Sequence, residues 1–80
     1  IELTSGQILD YSFESTNKVD FNIHYHEGSD IIYPVIANNT SIESGSFLPV
    51  KTEYYCLMWT NPHNESVTIT YTYHIRESQK

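Results

Sequence analysis

Strong helix formers are nearly missing from this chain. It has one Ala and four Leu in 80 residues, and Ala heads the helix-propensity scale, so an all-helical fold is excluded. Positive charge is scarce as well: four Lys plus Arg stand against ten Asp plus Glu, for a formal net charge of −6. Reading nucleic acid through phosphate neutralisation requires a basic patch, which four scattered cations do not make. Docking to an anionic membrane surface is disfavoured for the same reason. No run approaches 18 consecutive apolar residues, so no transmembrane helix and no direct membrane insertion are expected. The single Cys56 rules out an internal disulfide, the usual staple of small secreted folds. Free Cys behaves as a small hydrophobe, so Cys56 is expected to be a buried, inert thiol in a reducing compartment. Three Asn-x-Ser/Thr triplets begin at Asn38, Asn39 and Asn64. Chance supplies such triplets in a chain this rich in Asn, Ser and Thr, and they carry little weight against a reducing compartment.

What the chain does have is suited to pleated surfaces. It carries 9 Ile, 4 Val, 8 Thr and 11 aromatic residues, seven of them Tyr, all types enriched in strands. A chain of 9.3 kDa folds to roughly 5,000 Å² of surface from roughly 13,500 Å² unfolded, enough burial for one modest core. Linkers, repeats and low-complexity runs are missing, so residues 1–80 form a single domain. The opening Ile1-Glu2-Leu3 fits an excised domain or a processed chain.

Turn signals punctuate the chain every six to twelve residues. Gln7 to Glu14 reads as the first strand, with Leu9, Tyr11 and Phe13 on one face, and Ser15-Thr16-Asn17 turns the chain. Val19 to His26 then alternates, Val19, Phe21, Ile23 and Tyr25 inward against Asp20, Asn22, His24 and His26 outward. Glu27-Gly28-Ser29-Asp30 has hairpin length. Ile31 to Ile36 is a third strand, whose Pro34 predicts an edge or a bulge. Asn38 to Ser41 reads as loop, followed by a short apolar piece around Phe47. Glu53 to Thr60 is apolar almost without interruption, the pattern of a central strand buried on both faces. Val67, Ile69, Tyr71, Tyr73 and Ile75 share the inner face of the last strand, and Arg76 to Lys80 is expected to fray or to lead on into a longer parent. The fold class that follows is all-β: a small, jelly-roll-like antiparallel two-sheet β-sandwich of six to eight short strands.

Catalytic patterns are weak. His24 and His26 share one strand face and could share a metal, with His74 as a third ligand; the ordinary reading is solvated outer-face residues. There is no Gly-x-Ser-x-Gly elbow, no cleft for paired carboxylates and no Gly-rich phosphate loop before a helix. The chain is read as a non-enzyme with no catalytic residues, no metal and no cofactor. Aromatic rings more often fill β cores than line ligand grooves. Tyr54 and Tyr55 cannot both point inward, and surplus exposed rings favour a protein partner. The candidate interaction surface is His24, His26, Tyr54 and His74.

One ordered set of segments resembles the GOLD (Golgi dynamics) domain. It consists of Gly6-Gln7, Tyr11-Ser12-Phe13, Val19-Asp20-Phe21-Asn22-Ile23, Gly45-Ser46-Phe47 and Tyr55-Cys56-Leu57-Met58-Trp59-Thr60-Asn61, followed by an alternating last strand. The likeness spans about Leu3 to Ile75, and Tyr-x-Leu-x-Trp-x-Asn is its most specific part. It implies a β-sandwich without catalysis that serves as a protein–protein adaptor in Golgi or secretory-pathway membrane traffic. Lumenal members usually carry a disulfide pair, so the lone Cys56 resembles the cytosolic branch, which implies a cytoplasmic, Golgi-associated location and peripheral membrane association through the parent protein. A secretory-pathway lumen or secreted location is the alternative. The family offers no shared ligand residues to transfer. A second reading, from another class, is a sandwich that binds sugar or lipid through exposed aromatic rings, with Trp59 as its anchor.

Overall fold

Alternation at period two sends β-branched and aromatic side chains to one face of each segment, and burying those faces requires two layers. The computed structural model describes residues 1–77. It contains six strands: β1 (Glu2–Leu3), β2 (Gln7–Glu27), β3 (Asp30–Phe47), β4 (Glu53–Tyr54), β5 (Cys56–Thr60) and β6 (Ile69–Glu77), with no helix among the described residues. All pairings are antiparallel: β1 with β4 in a two-stranded sheet, and β3, β5 and β6 with β2 in the larger one. The chain is thus an all-β, two-sheet sandwich, and two of its six strands are long.

β2 is the spine. β3 pairs along nearly all of one side, from Leu9↔Phe47 to Glu27↔Asp30. On the other side, β6 takes Gln7 to Ser15 and β5 takes Asp20 to His24. Between these two stretches the ladder breaks: β2 advances from Glu14 to Val19 while β3 retreats only from Ile42 to Thr40. Extra residues on one strand bend it and raise its twist, and here they fold the spine back on itself. The rings of Phe13 and Phe21 meet across the bend, with centroids 4.8 Å apart. One layer therefore holds the first half of β2 with β6, and the other holds the second half with β5. β3 passes through both.

Ser15-Thr16-Asn17 was expected to separate two strands, yet it lies inside β2. Its turn chemistry is used for the bend: Ser15 Oγ donates to the Asn17 carbonyl, and the Lys18 amide donates to Asn17 Oδ1. The Asn38–Ser41 loop is likewise absorbed into β3, as a bulge with Asn39 at φ 56°. Asn tolerates that left-handed geometry better than most residues, and its amide donates to Asp20 Oδ1 at 2.9 Å. Pro34 falls in the register shift between Ile23↔Val35 and Tyr25↔Ile32 on an edge strand, where a missing N–H is tolerated. Glu27↔Asp30 closes a two-residue turn with positive φ at Gly28 only, the type II′ pattern that takes Gly first.

The core is Leu3, Leu9, Phe13, Val19, Phe21, Ile23, Tyr25, Phe47 and Tyr55. Two expectations fail at its border. Glu53 to Thr60 is neither continuous nor central: it breaks at Tyr55, and β5 is an edge strand with alternating exposure. Cys56 is consequently exposed, because Tyr55, Leu57 and Trp59 take the inner positions. The last strand fails differently. Val67, Ile69 and Ile75 pack against the core, but Tyr71 and Tyr73 remain 53% and 48% exposed, since no further strand among the described residues covers the edge that β6 forms. Arg76 and Glu77 lie in β6 opposite Ile8 and Gln7; the expectation for residues 78–80 falls outside the described residues.

Candidate interaction site

The open side of the sandwich lies between β5 and β6, where two cross-strand pairs face each other. Phe21 pairs with Trp59 in one layer and Phe13 with Tyr71 in the other. Their rings form a ladder running outward from the core: Phe13–Phe21 at 4.8 Å, Phe21–Trp59 at 5.3 Å and Trp59–Tyr71 at 4.9 Å. Phe21 is 1% exposed and Tyr71 53%, so the ladder starts in the core and ends in water. Tilted and edge contacts at such distances suit the ring quadrupoles.

Beside the outer end of the ladder runs a groove of about 360 Å³ lined by Ile1, Tyr55, Leu57, Trp59, Tyr71 and Tyr73, with Cys56 between them. Its floor is firmly held. The Tyr55 hydroxyl donates to the Lys51 carbonyl at 2.8 Å, and the Ile1 ammonium donates to the Tyr55 carbonyl at 2.9 Å. Burial pushes the Tyr55 phenol above its ordinary 10.0, with Tyr25 and Glu53 adding to the rise. The Trp59 indole N–H is shielded from solvent and has no hydrogen-bond partner among the described residues, an unusual state for a buried donor.

The four residues singled out from the sequence do not gather at one place. His24 and His26 lie on the outer face of the β5 layer, their rings 5.5 Å apart. His24 Nδ1 is 2.8 Å from Asn22 Oδ1, the Tyr33 ring is 5.6 Å away, and Cys56 sits directly across the strands. Ile31 and Ile36, on β3, and Met58, on β5, are exposed on the same face. His74 is on the outer face of the other layer, opposite Asp10. Tyr54, 69% exposed, belongs to the two-stranded sheet opposite Glu2. Among the described residues no three of His, Cys, Asp and Glu come together as a metal site.

Asp10 anchors the polar outer face of the β6 layer. Its carboxylate accepts from Arg76 Nε at 2.6 Å and from Ser46 Oγ at 2.6 Å. These two bonds, Arg76 first, hold its carboxyl below the usual carboxylate value against the opposing effect of desolvation, with lesser help from the nearby charges. At the far end of β2, Lys51 pairs with Glu27 and lies 5.2 Å from the centre of the Tyr25 ring, and that pairing raises the Lys51 ammonium above its ordinary value.

Tyr71 and Tyr73 are the residues that sequence reasoning misses as site residues. Their alternation with threonines gave the right face of β6 but not the lack of cover over it. The fold and this site define a small two-sheet β domain with an aromatic groove beside a strand edge that is unpaired among the described residues. Comparison with family models, curated proteins and solved structures gave no match. No helix among the described residues is long and apolar enough to cross a membrane.

Proposed function

We propose that this chain is a non-catalytic protein-binding module that takes an extended, apolar stretch of a partner polypeptide against the β6 edge and the aromatic groove. The observation that carries the reading is the half-exposed pair Tyr71 and Tyr73 on the inner face of an edge strand. An edge strand offers backbone donors and acceptors, and inner-face rings supply pockets for alternate side chains; together they are the parts of β-strand addition. Tyr and Trp are enriched at protein interfaces. An adaptor role in Golgi or secretory-pathway traffic, and a cytoplasmic Golgi-associated location, rest on the GOLD-like segments alone.

The same rings supply the second reading, a groove for sugar or lipid, favoured by Trp59 standing half-buried at its wall. Panning a random peptide library against the chain and against a Tyr71→Ser/Tyr73→Ser variant separates the two. The expected result is enrichment of extended sequences with alternating apolar residues on the parent and none on the variant. Equal enrichment on both, or a Trp59 fluorescence shift with glycans or lipid vesicles and none with enriched peptides, overturns the protein-binding reading.

A further inference from the structure

We infer that the β6 edge pairs with the β6 edge of a second copy of this chain, forming a two-fold dimer with Thr72 on the axis. The inference rests on the reading of β6 as an interaction edge and names its occupant.

Among the described residues, three edge strands of the larger sheet can be compared. β3 carries Pro34 and the Asn39 bulge, both in register breaks, and such features block edge-to-edge pairing. β5 is five residues long and is followed by Asn61-Pro62. β6 has nine residues and no Pro or Gly, and its ladder to β2 runs unbroken from Gln7↔Glu77 to Ser15↔Ile69. It has none of those protections, and its sequence is rich in β-branched and aromatic residues, the signature of a segment that pairs with its own copies.

The strand is also complementary to itself. Antiparallel pairing about Thr72 sets Tyr71 opposite Tyr73 of the second copy and Ile69 opposite Ile75 of the second copy on the inner face. On the outer face it sets Thr72 opposite Thr72 and Thr70 opposite His74. No like charges are opposed, and Glu77 falls across from Val67, which precedes the strand, rather than across from a residue of β6. Shifting the axis to Tyr73 keeps the faces but sets the Glu77 carboxylate across from Ile69, which disfavours that register. Directly opposed aromatic and β-branched pairs are the stabilising unit of a sheet. The two-fold operator repeats each of them, so the half-exposed Tyr71 and Tyr73 of both copies gain cover at once. The net charge of −6 on each copy opposes the approach, so association strengthens with added salt.

The test is sedimentation equilibrium of the chain from about 10 µM to about 1 mM, the weak-affinity range suited to a small interface. The expected result is a concentration-dependent rise from 9.3 kDa toward twice that mass. Thr72→Lys and Thr72→Glu, each placing like charges on the axis, are expected to weaken the dimer about fivefold, and an equimolar mixture of the two to restore it. Circular dichroism checks that both variants keep their strands. A 9.3 kDa species at every concentration overturns the inference, and so does a dimer that neither variant weakens, since the copies then meet elsewhere. The peptide-panning result reads the protein-binding function separately: a strictly monomeric chain that still enriches peptides loses self-pairing and keeps that function.

Discussion

Val19 to Tyr25 and Ile69 to Ile75 carry almost the same pattern of alternating apolar residues, and the fold treats them differently. In β2, Val19, Phe21, Ile23 and Tyr25 are between 0% and 8% exposed. In β6, the equivalent inner positions Tyr71 and Tyr73 are about half exposed. The first segment has strands on both sides, β3 and β5, and the folded-back half of its own strand above it. The second has β2 on one side only. Alternation therefore states which face of a strand is apolar, and the number of neighbours decides whether that face is dry. The residues left uncovered are tyrosines, whose hydroxyls tolerate a wet rim.

Substitutions that treat the two segments alike break or sharpen this comparison. Phe21→Ala removes a ring in contact with Tyr11, Phe13 and Trp59 and is expected to cost about 3–5 kcal/mol. A domain of this length has only about 4–12 kcal/mol in total, so this variant should show the largest drop in urea midpoint of the set. Gly28→Ala forces a side chain into positive φ and should cost about 1–2 kcal/mol, read as a lower urea midpoint with an unchanged slope. Tyr71→Ala is expected to cost less than about 1 kcal/mol, because half of its ring is already in water. A loss near that of Phe21→Ala would show that β6 is covered in solution.

The ionisable groups give two smaller effects. The folded-state value of the Tyr55 phenol is raised above 10.0, so its contribution to stability is complete below that pH. It is lost as the pH rises through the higher folded value, where the unfolded phenol is already ionised. Thermal melts stepped upward from neutral pH should fall in that window, and Tyr55→Phe should flatten the decline. Asp10 has the opposite sign. Its lowered folded value makes its contribution present above the ordinary 3.8 and lost as the pH falls through the folded value. Asp10→Asn should therefore reduce the acid sensitivity of the melt, with the smallest change of the set, since the Asp10–Arg76 pair is solvent-accessible.

The parts of the fold legible in the sequence are those set by local periodicity. Phe21 and Ile23 inward, the Gly28 hairpin, Pro34 at a bulge on an edge, and the exposure of either Tyr54 or Tyr55 all follow from period-two geometry and backbone chemistry. Ser15-Thr16-Asn17 and Asn38-Asn39 looked like chain reversals because their side chains bond to nearby backbone. That chemistry serves a bend or a bulge inside a strand equally well, and only tertiary packing decides between them. The apolar run around Cys56 reads as central because composition alone does not reveal how many neighbours a strand has. The aromatic groove was hidden for the same reason: Trp59 and Tyr71 are twelve residues apart and come together only through their separate pairings with β2. The four histidines do not form one cluster: His24 and His26 share an outer face, His63 lies against the Lys18 carbonyl and His74 is on the other layer.

The return of the chain to its own start has a consequence for biosynthesis. Gln7 is matched with Glu77 at a sequence separation of 70, so one layer lacks its flank until nearly every described residue has left the ribosome. The β2–β3 hairpin is complete some thirty residues earlier. At about 5–20 residues per second, it waits roughly 1.5–6 seconds with its aromatic side uncovered. Through that interval the nascent hairpin is a ready client for a holding chaperone.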